Sequence, residues 1–488
     1  MIASEVTPWA KTGGLADVVG ALPAALERGG HDLTVVMPRY RSVRLPAESV
    51  ATSTRRVSIG ARNDDVQFHT LTQSASRRVV FVDVPRLFDR DGFYGQSGRD
   101  FADNGERFAL LCAAACEYAE HLNPPGPPDV VHAHDWQAGA ALAWLKYDPA
   151  RWPRTSRAGR VLTIHNLAYQ GMFPKEVVPA VGLPWAAFTM DGGEFWNQFS
   201  YLKAGITASD MVTTVSPSYA RETREPAFGV GMDGVLRARG ERYVGILNGI
   251  DIDVWNPGTD PLIPARYDID DMAGKRECKR ALLERFGLPV GDDALARPLI
   301  GLVSRLVDQK GLQLIQAAGQ ELMALDATWI FVGQGESSHE TFLRALASHY
   351  RARVGVHIGF DETLAHLVEA GADIFLMPSI FEPCGLNQMY SLRYGTVPVV
   401  RAVGGLDDTI QPYTSRALHA NGFKFKDASG DELARTVRQA VRLFGDKDAW
   451  SALVRAGMQA DHSWETAAKE YVRVYRRARR DAADRGGV

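Results

Sequence analysis

The sequence contains few cysteines, no long hydrophobic run and no excess of charge of either sign. Four cysteines in 488 residues are too few for a disulfide framework, which predicts a reducing compartment, the cytoplasm. No uncharged apolar run reaches the roughly 18 residues of a membrane helix, and the N-terminus lacks the pattern of a signal peptide. Because 55 basic side chains are balanced by 58 acidic ones, neither nucleic acid nor a membrane is predicted as a partner.

Hydrophobic residues make up 45% of the chain, which is enough for a large buried core. Short apolar segments rich in β-branched residues alternate with amphipathic helical patterns, such as residues 137–146 and 312–325. This alternation predicts parallel sheets with helices on both faces. The predicted strands are residues 33–37, 79–84, 130–133, 161–164, 211–215 and 244–247 in the first half, and 299–303, 329–332, 354–358, 374–377 and 397–400 in the second.

Two sheets of moderate size are favoured over one very large sheet. The division falls near Gly249, before a segment rich in proline, glycine and aspartate at residues 256–264. The predicted domains are residues 1–246, residues 247–460, and a C-terminal helix within residues 461–488 that crosses back to the first domain.

Both ends of the chain show informative patterns. The last helix is predicted to begin after Ser463, a good N-cap, with Trp464, Tyr471 and Tyr475 on one side. At the other end, only residues 1–4 are available for the strand that should precede the first glycine-rich turn of a doubly wound domain. This predicts either a very short first strand or a sequence that lacks a few N-terminal residues.

A pair of glycines opens a helical pattern once in each half. Lys11, Gly13 and Gly14 lie in KTGGLAD, and Gly404 and Gly405 follow the predicted strand 397–400. Glycine lets a ligand approach the backbone closely, and a helix N-terminus offers free N–H groups to an anion. A tight connection between strand and helix explains such a turn equally well, so the glycines alone leave both interpretations open.

Charged side chains occur in loops after two predicted strands of the second half. Arg305 and Lys310 follow the strand 299–303, at the edge where α/β sheets bind ligands. An arginine and a lysine on one short loop can both reach a pyrophosphate, and this function is preferred over solvated loop cations. Glu382 follows the strand 374–377. Its carboxylate can accept hydrogen bonds from sugar hydroxyls or stabilise positive charge at an anomeric carbon, or it can simply oppose a helix dipole.

Polar residues end two strands of the first half. His132, His134 and Asp135 lie in HAHDW, and His165 and Asn166 follow the strand 161–164. The His-x-His spacing suggests a metal, but no third ligand is nearby in the sequence. A polar substrate site without metal is therefore favoured.

Together, these segments closely resemble the family of bacterial glycogen synthases and plant starch synthases. KTGGLAD (residues 11–17) and FEPCGL (residues 381–386) are specific to that family, whereas the others fit retaining glycosyltransferases of the GT-B fold more broadly. The segments occur in the family's order from residue 3 to about residue 475. The other matches are DNGERF (103–108), HAHDW (132–136), TIHN (163–166), TVSPSY (214–219), GILNGID (245–251) and SRLVDQKG (304–311).

The resemblance implies an α/β GT-B fold, with two Rossmann-like, doubly wound parallel-sheet domains separated by a deep cleft. It implies transfer of glucose from ADP-glucose to the non-reducing 4-hydroxyl of an α-1,4-glucan with retention of configuration, without a metal or other cofactor. Alternatives are a transferase that uses UDP-glucose or a small acceptor, and a two-lobed carbohydrate-binding protein without activity. The sequence is compatible with a homo-oligomer but contains no heptad pattern that would show one.

The resemblance also implies roles for individual residues. Arg305 and Lys310 hold the pyrophosphate and stabilise the departing ADP. Lys11 with the Gly13-Gly14 backbone approaches the same phosphates. Gly404 and Gly405 could do likewise from the C-terminal side.

Further implied roles concern the sugar, the base and the acceptor. The residues expected around the glucose are His165, Asn166, Asn248, Glu382, Cys384 and Gly385. Asp135 is expected near the acceptor, and Phe360, after the strand 354–358, is expected to stack on the adenine. The predicted catalytic set is Glu382, Arg305, Lys310, His165 and Asp135.

One position separates this branch from the wider retaining superfamily. Many members of that superfamily carry a second glutamate eight residues after the first, and this chain has Tyr390 there, as the synthase branch usually does. Retention by double displacement needs a carboxylate nucleophile, and no residue can be assigned to that role from the sequence. The alternative is a front-face displacement in which the leaving phosphate helps to deprotonate the acceptor.

Overall fold

Two largely parallel sheets organise the chain in the computed structural model, which describes residues 1–46, 50–96, 98–414 and 419–486. One compact unit consists of Met1–Gly249 and the C-terminal helix, and the other of Ile250–Ser463. The domain boundaries predicted from the sequence lie after residues 246 and 460, whereas the two compact units are divided after Gly249 and after Ser463. No helix among the described residues is long and apolar enough to cross a membrane.

The strands of the first unit include one long hairpin and several short pairs. They are β1 (Leu33–Pro38), β2 (Val50–Ile59), β3 (Arg62–Thr72), β4 (Arg77–Asp83), β5 (Gly95–Gln96), β6 (Arg99–Asp100), β7 (Val130–His134), β8 (Gly159–Ile164), β9 (Met172–Pro174), β10 (Glu194–Phe195), β11 (Gln198–Ser200), β12 (Met211–Thr214) and β13 (Tyr243–Gly245).

Residue Ile2 completes the main sheet of this unit. Strands in the order β2-β3-β4-β1 and β7-β8-β12-β13 form two blocks, and Ile2 makes parallel bridges to Val36 in β1 and Ala133 in β7. Its N–H donates to the His132 carbonyl, and its carbonyl accepts from the N–H of His134. Ile2 therefore stands in the position of a strand between β1 and β7, which is compatible with both expectations from the sequence.

The hairpin formed by β2 and β3 was missed by the sequence analysis. Its strands pair antiparallel with Ile59 opposite Arg62, so Gly60 and Ala61 form a two-residue turn. Several of its outward residues are charged or hydroxylated, and only a few positions, such as Val57, Val66 and Phe68, are buried. The prediction relied on continuous apolar segments, which this half-exposed hairpin lacks.

Helices cover both faces of the first unit. They are α1 (Gly14–Arg28), α2 (Pro85–Phe88), α3 (Asn104–His121), α4 (Asp135–Tyr147), α5 (Val177–Ala180), α6 (Tyr201–Ala208), α7 (Pro217–Glu222) and α8 (Asp233–Ala238). The C-terminal helix, Trp464–Gly486, packs on α1 and β8 through buried side chains that include Trp464 and Tyr471. Its apolar side is the one expected from the sequence.

The described residues of the second unit form one sheet of six strands, in the order β16-β15-β14-β17-β18-β19, with all pairs parallel. The strands are β14 (Leu299–Val303), β15 (Thr328–Gly333), β16 (Val354–Ile358), β17 (Ile374–Met377), β18 (Val397–Arg401) and β19 (Phe423–Phe425). The helices are α9 (Ala273–Arg285), α10 (Asp292–Ala296), α11 (Leu312–Ala317), α12 (Gly319–Met323), α13 (Ser337–His349), α14 (Glu362–Gly371), α15 (Asn387–Arg393), α16 (Gly404–Thr409), α17 (Gly430–Phe444) and α18 (Lys447–Gln459). The C-terminal helix of the first unit, Trp464–Gly486, is α19.

All the predicted strands are confirmed, with small shifts at their ends. The predicted helix 137–146 lies within α4, but the predicted helix 312–325 was wrong in its continuity. Ala318 separates α11 from α12, and Gly319 starts the second helix. Each piece still buries its apolar residues, which is why the amphipathic pattern runs on through the break.

Candidate active site

The predicted site residues fall into one group on each unit. In the second unit, the central strands β14, β17 and β18 are neighbours, so the loops after their carboxyl ends lie side by side. Backbone and side-chain atoms tie the first two loops together. The N–H of Ile380 donates to the Gln309 carbonyl at 2.8 Å, and Gln309 Nε2 donates to the Phe381 carbonyl at 3.2 Å.

An ion pair joins Lys310 to Glu382 across these loops. Lys310 Nζ lies 2.6 Å from Glu382 Oε2, and Ser379 Oγ donates to the same oxygen at 3.0 Å. The Glu382 side chain is only 7% exposed and that of Lys310 18%. Because both side chains are well shielded from water, the attraction between the two charges offsets the desolvation cost of each.

Arg305 adds a second positive charge to the same loop as Lys310. Its side chain is exposed, and Nη2 lies 3.4 Å from Gln309 Oε1. The loop is also held by His339 at the start of α13, whose Nε2 lies 3.1 Å from Asp308 Oδ1. In the described residues, Asp308, His339 and Glu336 have the spacing of metal ligands, and both acids are exposed.

The glycines at the start of α16 have a structural reason to be glycine. Gly404 has φ +45°, and a Cβ there would stand 1.9 Å from the Glu382 carbonyl oxygen. A Cβ on Gly405 would stand 2.1 Å from the Cys384 carbonyl oxygen. The loop after β18 therefore packs directly against the segment of Glu382, Cys384 and Gly385, and these predicted residues are close together.

Phe360 is placed differently from the rest of this group. Phe360 follows β16, which is an edge strand of the sheet, and it is 83% exposed. Among the contacts of the described residues, none joins it to Arg305, Lys310 or Glu382. Its predicted adenine contact stays a prediction.

In the first unit, Asp135, His165 and Asn166 are brought together. Asp135 starts α4 with a left-handed φ of 58°, and its Oδ1 accepts from the N–H of His165 at 2.7 Å. The Asn166 N–H also donates to this carboxylate. The side chain of His165 is bonded in turn to His134, with Nε2 3.0 Å from His134 Nδ1.

Burial governs the protonation of these groups. It raises the pKa of Asp135 from 3.8 to about 7, although the amide donors of His165 and Asn166 oppose the shift. Burial also lowers the pKa of His165 to about 3 and that of His134 well below its ordinary value. Both imidazoles are therefore neutral at physiological pH, and Asp135 titrates close to it.

The raised pKa of Asp135 predicts a dependence of stability on pH. A carboxyl with a higher pKa in the folded state favours folding at low pH, and this contribution is lost as the pH rises toward 7. Asp135→Asn, which also suits a left-handed φ, should gain about 3 kcal/mol relative to the parent between pH 5 and pH 8. Urea unfolding at the two pH values measures this gain. The exposed Asp129→Asn serves as control, and an equal pH dependence of Asp135→Asn and the parent would contradict the expectation.

The Lys11 turn is held by a residue that the sequence analysis missed. Glu5, which is buried, accepts a hydrogen bond from Thr12 Oγ1 at 2.6 Å and others from the Thr12 N–H and the Tyr94 hydroxyl. Lys11 pairs with Asp17 at 2.7 Å. Within the described ranges, a Cβ on Gly13 would meet no atom within 4 Å, so these parts of the fold do not require a glycine there.

Asn248 and His132 complete the picture of the first unit. Asn248 is buried, and its Oδ1 has no hydrogen-bond partner within the described part of the chain. His132 is a core residue, because Nδ1 lies 2.9 Å from the Tyr475 hydroxyl and Nε2 lies 2.6 Å from Thr163 Oγ1. Both of its nitrogens are thus occupied without a metal.

Comparisons with known proteins identify the family of this chain. The family described as starch synthase catalytic domain matches residues 1–238, and glycosyl transferases group 1 matches residues 293–451. The chain is 47% identical to a glycogen synthase of Anaeromyxobacter dehalogenans over 97% of its length and 98% of the relative. The chain belongs to the glycogen synthase family. A glycogen synthase of Koribacter versatilis is 45% identical to this chain, over 98% of this chain and 97% of the relative's length.

Solved structures support the same assignment. The catalytic domain of starch synthase IV from Arabidopsis thaliana, bound to ADP and acarbose, matches with a TM-score of 0.89 and 32% identity over 98% of both chains. Sucrose-phosphate synthase from Thermosynechococcus elongatus matches with a TM-score of 0.57 and 16% identity over 97% of both chains, which shows the fold alone. The predicted α/β GT-B fold is confirmed. The chain is a glycosyltransferase enzyme, and the predicted function, glucose transfer from ADP-glucose to an α-1,4-glucan, is the reaction of this glycogen synthase family.

The fold also explains Tyr390, which replaces the second glutamate of the wider superfamily in this glycogen synthase sequence. Its ring stacks on Trp255 with centroids 3.8 Å apart, and the other face of Trp255 stacks on His366 at 3.8 Å. His366 Nδ1 and the Tyr394 hydroxyl both bond the buried carboxylate of Asp260, at 2.8 and 2.6 Å. Tyr390 therefore belongs to an aromatic cluster of the second unit.

Proposed function

We propose that the donor is ADP-glucose, that its diphosphate binds Arg305 and Lys310, and that glucose passes to the non-reducing 4-hydroxyl of an α-1,4-glucan. The observation that carries this proposal is the Lys310–Glu382 pair at 2.6 Å, with Arg305 on the same loop, at the carboxyl ends of adjacent strands. Such a loop offers two cations to phosphate oxygens and a fixed carboxylate to a sugar.

Each charge in this group has a distinct part in the proposal. Arg305 is exposed and has a weak side-chain contact, so its guanidinium is available for a diphosphate. Lys310 is held in place by Glu382, and it stabilises negative charge on the leaving ADP. Glu382 accepts hydrogen bonds from glucose hydroxyls and opposes the positive charge that develops at the anomeric carbon. Cys384 and Gly385 line the sugar site. Gly404 and Gly405 form the adjoining turn, and Phe360 stacks on the adenine.

The first unit supplies the remaining groups. Lys11 with the Gly13-Gly14 turn binds phosphate, and the open space around Gly13 supports a close approach of ligand to backbone. Neutral His165, Asn166 and Asn248 bind glucose hydroxyls. Oδ1 of Asn248 has no hydrogen-bond partner among the described residues, which supports this role, because a buried acceptor without a donor is costly until a ligand supplies one.

Retention of configuration is proposed to follow a front-face displacement. Glu382 is paired with Lys310 and bonded to Ser379, which favours an electrostatic role over nucleophilic attack. Asp135 acts on the acceptor side, where its pKa of about 7 suits proton exchange with a hydroxyl or water. No metal is proposed, because Arg305 and Lys310 supply the positive charge that the leaving diphosphate needs.

A transfer assay tests the donor and the reaction together. Radiolabelled glucose from ADP-glucose is expected to enter glycogen in the presence of a chelator, whereas UDP-glucose should support a much lower rate. A Glu382→Ala sample serves as blank. Preference for UDP-glucose, or activity that requires an added divalent cation, would contradict the proposal.

The setting of the enzyme is proposed to be the cytoplasm. No disulfide forms among the described residues, and all four cysteines are buried thiols, which suits a reducing compartment; they are Cys112, Cys116, Cys278 and Cys384.

A further inference from the structure

Strained backbone is concentrated at two places in the first unit. Among the described residues, four that are not glycine have a positive φ. One is Asp135 in the candidate active site. The other three are Trp196 (φ 54°), Asn197 (φ 59°) and Val230 (φ 48°). A bulky or β-branched residue rarely adopts this conformation, and such outliers collect at functional sites.

Trp196 and Asn197 form the two-residue turn between β10 and β11. A turn with two positive φ values normally takes Asn-Gly, so tryptophan at the first position is unusual. The turn is nevertheless well held. Asn197 N–H donates to Glu194 Oε1 at 2.8 Å, and the buried Lys203 ammonium donates to the carbonyls of Glu194 and Met190 at 2.5 and 2.8 Å. The Trp196 side chain is 78% exposed.

Val230 and Tyr169 extend this exposed surface. A Cβ on Gly231, next to Val230, would lie 3.1 Å from the Phe195 ring and 3.7 Å from Trp196 Nε1, so that segment lies against the hairpin. Gln170 Nε2 donates to the Val230 carbonyl at 2.9 Å. We name this surface the aromatic platform. It consists of three residues that are each more than half exposed, Tyr169, Trp196 and Val230.

The platform continues from the candidate active site along one loop. His165 and Asn166 begin the loop after β8, and the Tyr169 N–H donates to the Asn166 carbonyl at 3.2 Å. Gln170, which holds Val230, follows at once. Tyr169 thus lies on the same loop as two residues proposed to bind glucose. Through Gln170, this loop holds the Val230 segment, which lies against the hairpin of Trp196.

We propose that the aromatic platform binds the α-1,4-glucan acceptor, at sugar units beyond the one that reacts; this rests on the proposed function. Pyranose rings present C–H faces that stack on aromatic rings, and their hydroxyls need amide partners. Asn197 and Gln198 stand exposed beside Trp196. Isolated rings flanked by amides suit a polar polymer better than a protein surface, which would require a larger apolar patch.

The strained turn provides the test. Glycine adopts a positive φ without strain, so Trp196→Gly should be at least as thermally stable as the parent protein. We expect the Kd for maltoheptaose, measured by calorimetry without donor, and the KM for glycogen to rise about tenfold, which is ~1.4 kcal/mol. The KM for ADP-glucose and turnover on maltose should not change. Trp196→Phe should retain most of the affinity.

Trp185→Ala, at another tryptophan with 55% exposure, is the matched control and should behave as the parent. Unchanged glucan binding in Trp196→Gly, or an equal loss in Trp185→Ala, would overturn the proposal. So would a concentration-dependent dimer, seen by sedimentation velocity, that Trp196→Gly abolishes, because a second copy would then cover the platform. The calorimetric measurement needs no donor, so an inactive parent protein would count against the proposed function and not against the platform.

Discussion

Replacement of Glu382 by alanine or glutamine is expected to lower turnover by about 10³-fold, the scale on which loss of one positioned electrostatic group acts. The carboxylate is bonded to Lys310 at 2.6 Å and to Ser379 at 3.0 Å, so it is fixed before substrate binds. Glutamine keeps the shape and removes the charge. Equal losses in both variants would therefore assign the effect to charge, as measured by transfer of label from ADP-glucose to glycogen.

Glu369→Gln is the matched control for this experiment. Glu369 is a buried glutamate of the same unit, bonded by Ser391 Oγ at 2.6 Å, and burial raises its pKa to about 8. Because the side chain is mostly protonated at pH 7, glutamine is a close substitute, and turnover should be retained. Near-normal turnover in Glu382→Gln would remove Glu382 from the catalytic set.

Lys310→Ala is expected to reduce turnover about 10³-fold and also to lower the free energy of unfolding by about 3 kcal/mol. The loss of stability arises because Glu382 would remain buried without its cation. Arg305→Ala should lower activity without that loss, since the Arg305 side chain is exposed. Urea unfolding and the transfer assay on the same samples separate the two effects.

A second buried pair in the same unit provides the control. Lys279 Nζ lies 2.6 Å from Asp373 Oδ2, with side chains 6% and 15% exposed. Lys279→Ala should destabilise the protein to a similar extent while the remaining folded enzyme keeps its turnover. The double variant Lys310→Ala/Glu382→Ala should recover stability but not activity. Recovered activity in the double variant would show that Lys310 matters only as a partner for Glu382.

The chain segments that are buried on both faces could be recognised from sequence. Strands such as β14 and β17 are continuous apolar runs between loops, and the structure has them at the predicted residues. The hairpin of β2 and β3 could not be recognised in the same way, because its exposed side chains interrupt the apolar pattern. A search for alternating apolar and polar residues on either side of Gly60-Ala61 would have found the hairpin.

The candidate site divides along similar lines. Its chemistry was visible in short motifs, since Lys11, Arg305 and Glu382 stand beside glycines or at strand ends. The supporting residues were not visible. Glu5 acts on Thr12 and Ser379 acts on Glu382 only because of how the chain folds, and neither of them has a distinctive spacing.

The sequence by itself determined the family, the parallel α/β architecture and the residue types that handle a charged sugar donor, because these depend on local patterns and specific motifs. The tertiary structure alone decided the pairing of Lys310 with Glu382, the close packing that requires Gly404, and the exposure of Trp196. Each of these depends on contacts between segments far apart in the chain or on burial. Such quantities arise from the packing of whole elements, which no local pattern encodes.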